Sequence, residues 1–175
     1  MIERGNLIVD IPEDQYDLYA EFGMVAEKAQ VLEVAAGNVA LGFLAMFIKT
    51  DEITPEQTEM YRAIIDDVNR KTFGSLLKHL KKTMNLSDSI IKVIDEALER
   101  RNYLTHRFFR SHNFALYSEK GRETMTAELK EIGEKLDVAK RTLDALAELM
   151  DQIAGRKMDA GMIERLIAGG KKVDI

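Results

Sequence analysis

The chain has 175 residues, of which 46% are hydrophobic and 31% charged, with a formal net charge of −5 and no cysteine. This length favours one domain with a sizeable core, and the composition is typical of a helical globular protein. The acidic balance argues against a dedicated duplex-DNA binder, and the absence of cysteine rules out disulfides and thiolate zinc sites. The N-terminal segment does not resemble a signal peptide, and the longest apolar stretch, Val39 to Ile48, is about half of a membrane span, so we expect a cytoplasmic protein without membrane contact.

The first element predicted in chain order is a long helix that follows an N-terminal arm, residues 1–12, with a strand-like Leu7-Ile8-Val9. Its apolar residues recur at alternating intervals of four and three, which is the pattern of a helix that packs along another helix. These residues are Leu18, Phe22, Val25, Ala29, Leu32, Ala36, Val39, Phe43 and Met46.

Two shorter helices are predicted next. Thr54-Pro55-Glu56-Gln57 combines an N-cap, a first-turn proline and a capping-box glutamine, and starts a helix that should run to about Met84. Its inward-facing residues should be Met60, Ile64, Val68, Leu76, Leu77 and Leu80. Ser87 or Asp88 should cap a third helix, which fades near residues 111–113 and whose apolar stripe contains Ile91, Ile94, Leu98, Leu104 and Phe108.

A fourth helix should start around residues 121–124 and end at Gly155. Its apolar seam contains Leu129, Ile132, Leu136, Ala139, Leu143, Leu146, Met150 and Ile153. At about 1.5 Å per residue, the first and fourth helices would each span roughly 45–50 Å. The predicted fold is therefore all-α, an elongated antiparallel bundle of four to five helices in a single domain, residues 1–175, that dimerisation would extend. A short helix, Met162 to Ile167, and a mobile tail are expected within residues 155–175.

The strongest functional signal is the run Arg101-Asn102-Tyr103-Leu104-Thr105-His106 on the third helix. A guanidinium can hold a phosphate, an imidazole can transfer its proton near neutral pH, and an amide can orient either group. These three side chains are sufficient for metal-free cleavage of a phosphodiester, so Arg101, Asn102 and His106 are the candidate catalytic residues.

The helical phase of these residues constrains how they can act. Arg101 lies in line with the apolar stripe, where a guanidinium needs an acidic partner or an anionic ligand. Asn102 and His106 lie about 100° and 140° away and are neighbours one turn apart. A helix that ends near His106, or a second subunit, would allow one phosphate to touch both Arg101 and His106. Alternatively, Arg101 pairs with a first-helix carboxylate such as Glu27 or Glu33, and His106 is an ordinary helix-end residue.

The stretch from Glu99 to Phe109 resembles the signature of the HEPN superfamily, which consists of small all-helical domains found in prokaryotic defence, toxin–antitoxin and RNA-processing proteins. That signature is an arginine, four to six intervening residues and a histidine, often with a polar residue directly after the arginine. Arg101 and His106 match it with four residues between them, and Asn102 occupies the polar position. The long helices and the N-terminal arm are not part of the signature.

The resemblance implies a metal-independent endoribonuclease without a cofactor that works as a homodimer, with two motif copies facing one cleft. It also implies an RNA substrate and a possible cognate antitoxin or other protein partner. His106 would move a proton to or from the RNA, and Arg101 would neutralise the transition state. RNA contacts are expected from Arg100, Arg107, Arg110 and Tyr103.

Nearby residues leave several interpretations open. A local basic track would be formed by Arg100, Arg107, Arg110 and His112 together with Lys78, His79, Lys81 and Lys82. The alternative is that these basic residues lie near helix C-termini because they complement the helix dipole. Phe108 is expected in the core, whereas for Phe109 both core packing and stacking on an RNA base are open. No metal-ligand spacing and no phosphate-binding glycine loop are present, so no metal is expected. The competing hypotheses are a non-catalytic helical dimeric interaction protein and a HEPN-like module that binds a nucleotide without cutting it.

Overall fold

A computed structural model describes residues 11–46 and 54–155 of the chain. Within these ranges the protein is all-α, as predicted, with no strand. Six α-helices and one 3-10 turn follow one another: α1 (Glu13–Ala45), α2 (Pro55–Arg70), α3 (Phe73–Thr83), α4 (Asp88–His106), α5 (Phe108–Ser111), the 3-10 turn (Ala115–Tyr117) and α6 (Glu119–Ile153). The strand-like Leu7-Ile8-Val9 and the short helix expected at Met162 to Ile167 lie outside the described residues.

Side-chain caps define where several helices begin. Thr54 and Gln57 form the predicted capping box of α2, in which each side chain bonds the backbone N–H of the other residue. Ser87, rather than Asp88, caps α4 by accepting a hydrogen bond from the N–H of Ile90. Ser118 caps α6 in the same way, so this helix begins at Glu119, slightly earlier than predicted.

The predicted second helix is in fact two helices, α2 and α3. The backbone of Lys71 is extended, and the Thr72 hydroxyl accepts a hydrogen bond from the N–H of Ser75 to start a new helix. Threonine favours an N-cap because its side chain competes with the helical backbone for the same hydrogen bonds. The break allows Phe73, which is 1% exposed, to enter the core.

The two longest helices are α1 and α6, with 33 and 35 residues, which confirms the two predicted long elements. They form the most extensive helix pair in the described structure. The prediction of an antiparallel arrangement is wrong for this pair, because successive contacts advance along both helices in the same direction. Near their starts Arg122 bonds Asp14, farther along Lys28 bonds Asp137, and near their ends Gly42 lies against Met150.

Helix α4 runs antiparallel to both long helices. Arg101 contacts Glu33 of α1, and the following helix α5 brings Phe108 against Phe22, farther back along α1. On the other side, Glu96 of α4 pairs with Lys135 of α6. Helix α4 therefore spans both long helices, and its C-terminal end lies over the first half of α1.

The predicted seams of α1 and α6 account for most of the core. Leu18, Leu32 and Val39 of α1 and Leu129 and Leu143 of α6 are all fully buried. Two predicted inward positions are wrong: Met60, in the exposed first half of α2, is 51% exposed, and Ile153 is 63% exposed because it lies at the end of α6. Across residues 11–46 and 54–155, no helix combines the length and apolarity that a membrane crossing requires.

Candidate functional site at the end of helix α4

Helix α4 ends at His106, inside the stretch singled out from the sequence. The next residue, Arg107, has φ −129° and ψ −26°, and its N–H still donates to the carbonyl of Tyr103 over 2.8 Å. Helix α5 starts one residue later because Phe108 and Phe109 turn inward, where both rings pack against Phe22. Phe108 is fully buried, as predicted, and Phe109 is half-buried. The bend leaves His106 and Arg107 exposed at a corner of the molecule.

The Arg101 guanidinium has a carboxylate partner. Its Nη2 donates a hydrogen bond to Glu33 of α1, one of the two acids proposed from the sequence. Its Nη1 donates to the Asn102 side-chain oxygen over 3.2 Å. The Arg101 side chain is 25% exposed, so the ion pair lies at the edge of the α1–α4 contact and remains accessible to solvent.

His106 is placed differently from Arg101. Its side chain is exposed and makes no hydrogen bond or ion pair with any part of the chain that the structure describes. Asn102, one turn earlier, is exposed as well. The structure therefore presents the imidazole and amide of the motif to solvent, whereas the charge of its arginine is balanced by Glu33.

The four residues predicted to bind RNA separate into two groups. Arg107, which follows His106 directly, and Arg110 on α5 are exposed. Arg100 and Tyr103 lie on the side of α4 that faces α6. The Nε atom of Arg100 is buried without a hydrogen-bond partner among the described residues, and burial raises the pKa of the Tyr103 phenol. Of the four, only Arg107 and Arg110 are exposed, and neither side chain has a hydrogen-bond or ion-pair partner within residues 11–46 and 54–155.

A second histidine forms the best-connected polar cluster in this region. His112 Nε2 lies 2.5 Å from a carboxylate oxygen of Glu128 and 3.4 Å from the Tyr103 hydroxyl, and the His112 ring packs against Phe108 with centroids 5.0 Å apart. The cluster ties α4, α5 and α6 together. Sequence reasoning placed His112 in a basic track and missed Glu128, because the two residues are 16 positions apart, one in the turn after α5 and the other on α6, and no local pattern connects them.

The basic residues of α3 do not extend the motif. Lys81 pairs with Asp95 near the middle of α4, so the end of α3 lies beside α4 upstream of Arg101. A shallow depression on α4 is mostly acidic and is lined by Asp88, Ile91, Lys92, Asp95, Glu96 and Glu99. The carboxylates of this depression disfavour an anionic ligand there.

No group of three or more acidic or histidine side chains in the described ranges is placed to hold a metal ion. The fold and site define an all-α protein with an exposed histidine, a neighbouring amide and a salt-bridged arginine at a helix end. Comparison with known proteins gave no match to a family model, a curated protein or a solved structure.

Proposed function

We propose that this protein is a HEPN-like, metal-independent endoribonuclease. The observation that supports the proposal is the exposed His106 side chain at the last residue of α4, one turn after Asn102, whose side chain is bonded by Arg101. Arg107 and Arg110 are exposed on the adjoining bend, where they can contact the RNA backbone.

The proposed reaction is an internal phosphoryl transfer. The ribose 2′-hydroxyl oxygen attacks the adjacent phosphorus and gives up its proton, while the bond from phosphorus to the 5′ oxygen breaks and that oxygen gains a proton. His106 is suited to one of these two proton transfers, because imidazole exchanges protons near neutral pH and positioned acid–base groups contribute about 10²–10⁴ in rate. The products are a 2′,3′-cyclic phosphate and a 5′-hydroxyl, so DNA, which lacks the nucleophile, should not be cut.

Arg101 would stabilise the additional negative charge on the phosphate in the transition state. In the described structure its guanidinium donates to Glu33, and a phosphate would have to compete with that carboxylate or share the guanidinium with it. Asn102 would orient the substrate or the His106 ring. Arg101 would therefore bind a phosphate more readily when its ion pair with Glu33 is broken, so this pair would control the proposed reaction.

The HEPN resemblance also suggests the setting. We propose a cytoplasmic homodimer that acts in a defence or toxin–antitoxin system and is restrained by a cognate antitoxin or other protein. In the dimer the two His106 ends would face one RNA-binding cleft.

The decisive test is incubation of the purified protein with tRNA and single-stranded RNA in EDTA, beside a His106→Ala variant. Wild-type protein should cleave RNA to cyclic-phosphate ends, and His106→Ala should lose turnover without loss of thermal stability, because His106 is exposed and unpaired among the described residues. His79→Ala is the matched control, since His79 is an exposed histidine on α3. Cleavage that requires a metal, or that survives in His106→Ala, would contradict the mechanism.

A second candidate, a non-catalytic dimeric interaction protein, is favoured by a different observation. Exposed apolar side chains follow the outer side of α1, and Arg101 already has a structural partner in Glu33. This candidate predicts no RNA cleavage by wild-type protein and protein binding that is unchanged by His106→Ala. Saturable nucleotide binding that depends on Arg101 and leaves the nucleotide intact would instead indicate a HEPN-like nucleotide-binding module.

A further inference from the structure

The segment 100–118, which runs from the end of α4 to the start of α6, is both basic and rich in aromatic residues. It contains four arginines, two histidines and five phenylalanines or tyrosines, and no acidic residue occurs between Glu99 and Glu119. The segment 68–87 is also basic and free of acids, but its one aromatic residue, Phe73, is buried. Segment 100–118 therefore combines a positive charge with aromatic rings that are available to a ligand only if some of them are exposed.

The part of this segment that follows the motif has one buried side and one exposed side. Helix α5 continues through a turn into the 3-10 turn, and the N–H of Leu116 donates to the carbonyl of His112 over 3.2 Å. The buried and half-buried side chains are Phe108, Phe109, His112, Ala115 and Leu116. The exposed side carries two arginines and two rings at intervals of three, four and three residues, Arg107, Arg110, Phe114 and Tyr117, and its remaining positions are serines and one asparagine.

Phe114 and Tyr117 are the two most exposed large hydrophobic residues in the described structure, at 85% and 83%. The backbone that presents them is hydrogen-bonded: the Tyr117 N–H donates to the Phe114 carbonyl over 3.3 Å, and Arg122 donates to the Leu116 carbonyl over 3.0 Å. Single exposed apolar residues are common, but two rings three residues apart on one hydrogen-bonded turn leave a contiguous aromatic surface in water. Such a surface suits a ligand with flat apolar faces.

We propose that this exposed side binds single-stranded nucleic acid through stacked bases. We call it the stacking surface and define it by Arg107, Arg110, Phe114 and Tyr117. Unpaired bases stack on the two rings, and the two guanidiniums, which have no partner among the described residues, contact the phosphates. A single strand is complementary to both features, because every nucleotide has a flat face and a negative charge.

The rings distinguish a single strand from other anionic partners. A duplex covers its base faces by stacking and pairing, so it contacts the arginines but not the rings. An acidic peptide supplies charge without flat faces. Exposed acids, Glu119 and Glu123, follow on the first turns of α6 and disfavour phosphates there.

Neither stacking nor phosphate contact uses the 2′-hydroxyl, so single-stranded DNA binds this surface as single-stranded RNA does. Arg107 follows His106 directly, so an RNA strand on the stacking surface leads to the candidate catalytic histidine. This connection to catalysis rests on the proposed function, whereas the binding of DNA does not.

Fluorescence anisotropy with a labelled single-stranded DNA of about 12 nucleotides measures binding without cleavage. Wild type should bind this strand more tightly than a duplex of the same length at the same salt concentration. Phe114→Leu and Tyr117→Leu keep an apolar side chain but remove the flat ring, and each should raise the Kd at least about fivefold. Phe114→Tyr, which keeps a ring, should bind as wild type does. Leu149→Ala is the control for loss of an exposed apolar side chain, since Leu149 is 51% exposed near the other end of α6.

The arginines are tested by salt dependence. Arg107→Gln should reduce the slope of log Kd against log salt concentration by about one, because one phosphate contact is lost. Arg141→Gln, an exposed change on α6, should leave the slope unchanged. All these side chains are exposed, so the melting temperatures of the variants should equal that of wild type.

Three results would overturn the inference: no binding of single-stranded DNA, equal affinity for single strand and duplex, or a wild-type Kd in both leucine variants. Binding of anionic phospholipid vesicles or of a polyglutamate peptide, without binding of DNA, would overturn it as well. RNA cleavage is measured on the same samples. DNA binding without RNA cleavage contradicts the proposed function and leaves the stacking surface intact, whereas RNA cleavage by a protein that binds no single-stranded DNA contradicts the stacking surface alone.

Discussion

The guanidinium of Arg101 on α4 donates a hydrogen bond to the carboxylate of Glu33 on α1, 68 residues earlier in the chain. The pair holds the C-terminal part of α4 against the long first helix and neutralises the one cation that the motif places in line with the apolar stripe. The pair also distinguishes two possible roles of Arg101. A purely structural Arg101 needs Glu33, whereas a phosphate-binding Arg101 competes with it.

Substitution of Glu33 by glutamine should therefore separate the two roles. Glu33→Gln removes the competing charge, so the Kd for single-stranded RNA should fall about three- to tenfold in a binding assay at fixed salt. Because the pair is partly exposed, unfolding free energy should fall by only about 0.5–1 kcal/mol. Glu27→Gln, on the exposed outer face of α1, is the control for a simple change in net charge. Equal RNA affinity in wild type, Glu33→Gln and Glu27→Gln would assign Arg101 a structural role.

Gly121 in the first turn of α6 should not tolerate a side chain. A Cβ at this position would overlap the carbonyl oxygen of Ala115, a backbone atom of the 3-10 turn that precedes the helix. Gly121→Ala should therefore lower the free energy of unfolding by about 1–3 kcal/mol in urea denaturation. Gly23→Ala is the comparison, because nothing lies within 4 Å of a Cβ there. Equal destabilisation by both substitutions would show that the close approach at Gly121 is not the cause.

Arg122 joins the start of α6 to the start of α1. It is 8% exposed, its Nε donates to Asp14 over 2.6 Å, and its Nη1 donates to the carbonyl of Leu116 over 3.0 Å. Arg122→Met should cost about 2–3 kcal/mol of stability, since both bonds involve a charged donor. Arg141→Met, an exposed change on the same helix, should cost little. If Arg122→Met lowered the free energy of unfolding by only a few tenths of a kcal/mol, water would be replacing the two hydrogen bonds.

The pair between Glu96 and Lys135 predicts an acid-dependent part of the stability. The hydrogen bond from Lys135 lowers the pKa of Glu96 below its ordinary value of 4.5. Because the folded-state pKa is depressed, the pair stabilises the protein above pH 4.5 and its contribution disappears as the pH falls through the lower, folded-state value. Thermal melts at pH 7 should place Glu96→Gln below wild type, and the difference should shrink below pH 4.5.

The control for that pair is Glu134→Gln, an exposed change beside Lys135. It should track wild type at every pH. A gap between wild type and Glu96→Gln that stays constant down to pH 3 would argue against titration of Glu96 as its source.

Much of the candidate site could be predicted from the local sequence pattern, whereas the rest depends on contacts between residues far apart in the chain. The motif of Arg101, Asn102 and His106 lies on one helix that ends at His106, and Glu33 was one of two acids proposed for Arg101. The separation of Arg100 and Tyr103 from Arg107 and Arg110 was not foreseen. It depends on the bend at residue 107, which the burial of two phenylalanines against Phe22 produces.

By itself the sequence determined the all-α class, the two long helices and their buried seams, because helical periodicity and capping act within a few residues. The capping box at Thr54 and the buried Leu32 and Leu143 are examples. Only the tertiary structure decided that α1 and α6 run parallel, that Thr72 divides a predicted helix, and that His112 meets Glu128. These features depend on contacts between residues far apart in the chain, whose free energies arise only when the helices pack together.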